Sequence, residues 1–165
     1  MLKRIIWMFV SNIFINSYLI IPIFVKVFLL KLFGAKIGER VILKPNINIK
    51  YPWLLEIGDD CWIGENVWID NLATVKIENN VCVSQGALLL TGNHDFNLKG
   101  FDLKIGEITL ENGVWIGAKA IVGPNVICRS HSMLAVGSIT SKNLEPYGIY
   151  RGNPAHLEKA RKITI

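Results

Sequence analysis

The run Ile57-Gly58-Asp59-Asp60-Cys61-Trp62-Ile63-Gly64-Glu65-Asn66-Val67-Trp68-Ile69 decides the fold. An aliphatic residue returns at every sixth position, glycine follows it twice, and Cys61 and Val67 hold the fifth position of their sixes. Counting outward in both directions, the first position is Ile37, Leu43 and Ile49 before the run. After it come Ile77, Val83, Leu89, Leu110, Ile116, Val122, Cys128 and Leu134. The fifth position is small or β-branched at Val41, Val81, Ala87, Val114, Ala120, Val126 and Ser132, and glycine recurs in second place at Gly38, Gly117 and Gly123. A period of six is not helical. Glycine suits a tight corner, and residues two apart on a strand share a face, so the fifth position and the next first position both point inward. Three such short flats make one turn of a parallel β-helix, and each turn buries its aliphatic layer only by stacking on the next.

The departures from the period are as informative. Extra residues follow the third six of a turn at Leu55-Glu56, at Val75-Lys76 and in the long stretch 95–109, which places all three insertions on one corner of a triangular prism. The last is an arm, and Thr91-Gly92-Asn93-His94-Asp95-Phe96 leads into it. By the count His94 takes a sixth position, facing outward above Thr74, with Asp70 and Asn71 on the turn below. Other sixth positions hold Ile42, Leu54, Trp62, Trp68, Leu88, Trp115, Ile121, Ile127, Met133 and Ile139, more outward apolar residues than surface scatter supplies. The pattern predicts a subunit interface, the competing account being a lid from the N-terminal segment.

Residues 1–36 are different in kind. Five of the 18 basic residues, Lys3, Arg4, Lys26, Lys31 and Lys36, fall there with no acid, so the rest of the chain balances its 13 acidic residues. That asymmetry argues against a nucleic-acid surface on the body and favours anionic lipid as the partner of the greasy segment. The apolar run is long enough for a bilayer, but Ser11, Asn12, Asn16, Ser17, Pro22 and Lys26 interrupt it, and a central proline favours two short helices lying at the membrane surface. Packing of this segment on an oligomer and a true membrane span are the alternatives. Cys61, Cys82 and Cys128 are an odd number without metal or disulfide spacing, which fits a reducing cytoplasm.

With TGNHD, an arm, and LENGVWIGAKAIVGPNV in line, the chain resembles the sugar and antibiotic acetyltransferases of the hexapeptide-repeat superfamily, most of all the colanic-acid-biosynthesis type, with the galactoside and maltose O-acetyltransferases more distant. FGAKIG at 33–38, Tyr51-Pro52-Trp53, WIDNLA at 68–73 and GNPA at 152–155 carry the same resemblance. It implies a left-handed parallel β-helix over 37–144 and a homotrimer. It also implies acetyl-CoA as co-substrate, no metal, and His94 as general base shared across a subunit interface. The chemistry suits the residue: an alcohol is a poor nucleophile at neutral pH, and histidine can take its proton as it attacks the thioester. Asp70, Asn71 and Asp95 are the candidates to bind the acceptor or orient the imidazole, with Glu107 behind them. The resemblance places coenzyme A along the later turns, at Gly117, Ala118, Val136, Gly137, Ser138, Ser141 and Lys142, with Arg151, Lys159 and Arg161 for its phosphates; His156 stands where relatives often carry arginine or lysine. Residues 145–165 read as a cap ending in a short helix over 155–162.

The expected activity is acetyl transfer from acetyl-CoA to a sugar hydroxyl in surface polysaccharide or glycolipid assembly, on a saccharide acceptor that is lipid-linked, at the inner face of the cytoplasmic membrane. Two other readings compete. A zinc carbonic anhydrase of the same architecture needs three convergent histidines, and the chain has His94, His131 and His156 in unlike repeat positions. A non-catalytic β-helix scaffold would not need His94 at all.

Overall fold

The computed structural model describes residues 2–163, so Met1 of the expected N-terminal segment and Thr164 and Ile165 of the expected cap lie outside the described residues. Three parallel sheets form the faces of a prism. The first face stacks Lys36–Ile37, Leu55–Ile57, Val75–Ile77, Ile108–Leu110 and Ile127–Cys128. The second stacks Ile42–Leu43, Trp62–Ile63, Cys82–Val83, Trp115–Ile116 and Met133–Leu134, and the third Asn48–Ile49, Trp68–Asp70, Leu88–Leu90, Ile121–Val122 and Ile139–Thr140. Five full coils result, and a partial sixth is opened by the bridge between Cys128 and Leu144.

Every first-position residue read from the sequence is buried, and so is every fifth-position one. The corners explain the spacing. Asp60, Asn66, Asn80 and Asn125 all adopt left-handed backbone, with φ between 56° and 60°, the conformation that asparagine and aspartate tolerate best after glycine. Below them runs a column of side chains: Asn79 Oδ1 accepts from Asp59 N at 2.8 Å, and Asp59 Oδ1 from Glu39 N at 2.7 Å. A Cβ at Gly58 would stand 2.4 Å from that Asn79 oxygen, so the glycine is demanded by coil-to-coil contact.

The insertions shape one edge. Lys36 registers with Glu56 and Glu56 with Lys76, 20 residues apart each time; Lys76 then registers with Thr109 and Thr109 with Ile127. The long interval holds the arm, on the edge between the third and first faces, as the count predicts. The outward rows divide by face. On the first they are mostly polar, with Lys36 and Glu56 paired at 2.6 Å. On the second and third they are apolar, with Trp62, Trp68 and Trp115 well exposed.

The N-terminal segment breaks into two helices, α1 (Leu2–Phe14) and α2 (Ile23–Leu32), with Pro22 immediately before the second. Among the described residues no helix is long and apolar enough to cross a membrane. The pair plugs the lower end of the prism. Trp7, Ile15 and Leu30 join the solenoid core, Trp7 Nε1 donates to Ile49 O at 2.9 Å, and the amides of Asn46 and Ile47 donate to the carbonyls of Ser17 and Ile15. The segment is therefore an end plug and not a lid over the apolar side faces.

The C-terminal cap departs from expectation. Ala155–Ala160 is a strand and not a helix, antiparallel to Gly148–Gly152, which itself continues the second face beyond Met133–Leu134. The reason is edge pairing: a helix this short is marginal without partners, whereas the last parallel strand offers a free row of backbone groups. The parallel stack thus runs past Leu144 into Tyr150.

Candidate active site

The solenoid path halts at Thr91. Its buried hydroxyl accepts from the amides of Leu72 and Ala73 at 2.7 and 3.1 Å and donates to Asp70 O at 2.8 Å, locking the exit point to the coil below. From there Gly92–His94 and Leu103–Ile105 form an antiparallel hairpin, with His94 opposite Leu103. The count was right that His94 faces outward, but it does not stack on Thr74. Thr74 O accepts from Ile108 N, after the arm has returned.

His94 is exposed, and its Nδ1 lies 2.5 Å from the carbonyl oxygen of Phe101. A carbonyl can only accept, so Nδ1 carries the proton, and in the neutral imidazole Nε2 is the nitrogen with the lone pair. Phe101 holds left-handed backbone, φ 49°, an arrangement costing about 1–2 kcal/mol for a residue with a side chain. Asp95 stiffens the same turn. Its carboxylate pairs with Lys104 Nζ at 2.7 Å and accepts from Asn97 N at 3.0 Å, and these contacts hold it below the usual carboxylate range. Asp95 thus fixes the arm and is not bonded to the imidazole. Between the arm and Pro124-Asn125 of the next coil lies a cleft of about 210 Å³ containing His94.

The other predicted residues sort by place. Asn71 is fully buried: its Nδ2 donates to Tyr51 O at 2.6 Å and its Oδ1 accepts from Tyr51 N at 2.9 Å, so its amide is spent on the corner of the first coil. Asp70 keeps an inward oxygen, Oδ1, 2.7 Å from Lys50 Nζ but off hydrogen-bond alignment, a buried acceptor with a charge partner and no aligned donor. Glu107 sits at the foot of the arm, exposed.

Ser141 and Lys142 are exposed on the edge that carries His94, and with Pro154 and His156 they line a cleft of about 110 Å³. Gly117, Ala118, Val136, Gly137 and Ser138 lie on another edge, between the second and third faces. There Val136 and Gly137 are exposed, and a Cβ on Gly137 would meet nothing, while Gly117 is packed against the backbone of Val136. Ser138 is buried and its hydroxyl accepts from Gly152 N at 3.0 Å. Arg151 pairs with Glu158 at 3.0 Å and Lys159 is exposed. Arg161 belongs to a third edge: its Nη1 donates to Gly113 O and His131 O at 2.9 and 3.1 Å, which pins the C-terminal strand and removes it from the phosphate set. The sequence missed Phe101, whose role belongs to its backbone, and Pro124-Asn125, which only the stacking of coils brings to the arm.

Buried Cys61 and Cys128 have their thiols pushed up by burial, and so does half-buried Cys82, so none is poised as a nucleophile. His131 stacks on Tyr147, 4.8 Å between ring centres, and His156 lies on the C-terminal strand. Among the described residues no three potential metal ligands gather.

No family model matches the chain. Among known proteins, the colanic acid biosynthesis acetyltransferase WcaF of Escherichia coli K12 is 34% identical over 139 residues, covering 84% of this chain and 76% of its own. Of solved structures, a hexapeptide-repeat acetyltransferase of Vibrio cholerae superposes with a TM-score of 0.88 at 20% identity, covering 98% of this chain and 92% of its own. Galactoside acetyltransferase in complex with coenzyme A superposes at 0.86 with 24% identity, covering 97% and 81%. A six-residue solenoid with one histidine-bearing arm, and a relative this similar along most of both chains, have the same meaning: the protein belongs to the hexapeptide-repeat acetyltransferases.

Proposed function

We propose that this enzyme transfers an acetyl group from acetyl-CoA to a hydroxyl of a saccharide in surface polysaccharide or glycolipid assembly, with His94 as general base. The observation that carries the reading is the contact of His94 Nδ1 with Phe101 O, which makes Nε2 the basic nitrogen of a residue that lines the cleft. Nε2 takes the proton of the acceptor hydroxyl as its oxygen attacks the thioester carbonyl. Collapse of the tetrahedral intermediate expels the coenzyme thiolate, which recovers the proton from the imidazolium, so no acyl-enzyme forms. Backbone N–H groups at the corners are the donors for the developing oxyanion.

Acetyl-CoA fits the residues present. Ser141 and Lys142 offer a hydroxyl and an ammonium on the edge of His94, and the exposed Val136-Gly137 corner offers close backbone approach for the pantetheine arm. These two groups stand on different edges of one chain. A homotrimer packed through the apolar rows of Trp62, Trp115 and Trp68 joins one protomer's histidine edge to its neighbour's glycine corner, completing a site that a monomer has only in part.

The helical plug supports attachment to the inner face of the cytoplasmic membrane, which makes a lipid-linked acceptor the fitting substrate. Phe9, Ile13, Phe24 and Phe28 are all exposed on it, and Ile20 is 99% exposed. Acetyl-CoA turnover against a panel of sugar acceptors tests the reaction. His94→Ala should lower it by about 10²- to 10⁴-fold, and unchanged turnover in the mutant would defeat His94 as the base.

A further inference from the structure

The polar residues that interrupt the N-terminal apolar run do not scatter. Asn12 and Asn16 of the helical plug converge with Arg4, Asn48, Lys50 and Tyr51 on a groove of about 270 Å³ between α1 and the first coil. Several asparagines of the solenoid are committed: Asn46 bonds Asn66, Asn71 bonds Tyr51, and Asn79 and Asn112 bond their neighbours in the corner column. The carboxamides of Asn12, Asn16 and Asn48 take no part in the side-chain hydrogen bonds among the described residues, and they line the groove. Of the cations around it, Lys50 pairs with Asp70, whereas Arg4 and Lys3 meet no acid among the described residues. Arg4 lies over the Tyr51 ring at 4.7 Å and Lys3 over Trp53 at 4.5 Å, and the ion pairs among the described residues involve neither. Tyr51 and Trp53 stack at 5.0 Å beside them.

Carboxamides for hydroxyls and a guanidinium for a phosphate make a recognisable set. Its location narrows the ligand. The exposed ridge of Phe9 and Ile13 runs along α1 itself, which puts the groove at headgroup level when that ridge meets acyl chains. The groove also lies below the catalytic arm. Lys50 and Asp70 pair across successive coils, and Asp70 registers with Leu90 next to the arm's exit at Thr91. Two coil steps of about 4.8 Å separate the levels, about 10 Å in all.

We propose that this groove binds the phosphosugar headgroup of a lipid-linked saccharide, the membrane-proximal part of the acceptor whose more distant hydroxyl reaches His94. The inference rests on the acetyltransferase reading for the identity of the acceptor, but its test does not use the reaction. Surface charge alone would be served by lysines; carboxamides confer preference for a hydroxylated headgroup.

The experiment is flotation of the full chain with phosphatidylcholine vesicles carrying either polyprenyl phosphoglucose or the same mole fraction of phosphatidylglycerol. Wild type should prefer the phosphoglucose vesicles by about tenfold, the value of one or two hydrogen bonds from carboxamides to sugar hydroxyls. Asn12→Leu and Asn48→Leu should each abolish the preference while leaving phosphatidylglycerol binding in place. Equal binding of wild type to both vesicles overturns the proposal, as does an unchanged preference in both variants. Glucose 1-phosphate bound as tightly without vesicles as the lipid-borne sugar also overturns it, by making the ligand soluble. His94→Ala should keep the vesicle preference, so failure of the acetyl-transfer reading, seen as turnover insensitive to that mutation, is a separate result.

Discussion

His94 Nδ1 and the carbonyl oxygen of Phe101 face each other across the hairpin at 2.5 Å, and the carbonyl is there because Phe101 accepts a backbone conformation that L-residues avoid. Glycine at 101 would hold the same φ without strain, so Phe101→Gly should retain most of the wild-type kcat. Phe101→Val, β-branched at a positive φ, should lower kcat about tenfold with KM for acetyl-CoA unchanged. Steady-state kinetics on the two variants decide it.

Asp95 contributes to arm order through its charge. Because Lys104 and the Asn97 amide depress its titration, that contribution is fully present above the ordinary carboxylate value of about 3.9 and is lost as pH falls below it through the depressed one. Hydrogen exchange over residues 92–105 should therefore be flat from neutrality to about pH 4 after correction for intrinsic rates. In Asp95→Asn it should be faster throughout, with the solenoid's melting temperature unmoved.

Gly106, where the arm returns, is buried against Asn125, and a Cβ there would stand 2.3 Å from that side chain. Gly106→Ala should cost about 1–3 kcal/mol by overpacking. Asn125 has φ 60°, which glycine also adopts, so adding Asn125→Gly should recover much of the loss. Thermal melts of the two singles and the double measure the coupling.

Asn71 offers a test of role. Removing its amide in Asn71→Leu strands both polar groups of Tyr51, at about 1–3 kcal/mol each. The melting temperature should fall, while KM for the acceptor in the surviving folded enzyme stays near wild type. A selective rise in acceptor KM without loss of stability would return Asn71 to the acceptor site.

Arg161 and Lys142 should separate in the same way. Arg161→Ala loses two bonds to carbonyls and should loosen the C-terminal strand without changing KM for acetyl-CoA. Lys142→Ala should raise that KM about tenfold, the scale of one charge-assisted phosphate contact.

The prism was legible because its rule is local: each six residues carry their own inward pair, and Ile63, Val67 and Ile69 declare their burial by spacing alone. The arm was legible as an interruption, and His94 as its outward-facing histidine. What spacing could not supply was the use of each polar group once coils stack. Asp70 and Asn71 are adjacent in sequence, yet one turns an amide into the corner and the other meets Lys50. The C-terminal segment misled for a related reason, since the helical composition of 155–162 was outweighed by an open strand edge that exists only after folding. Phe101 left no signal, because a carbonyl is common to every residue.

The arm's own base holds a longer lesson. Gly106 N donates to Thr91 O at 2.9 Å, so the two feet of the insertion bond to each other before the chain rejoins the stack at Ile108. An excursion closed in this way transmits little to the coils above and below. Its contents can be lengthened, shortened or exchanged like a tool in a fixed handle, without asking the handle to refold.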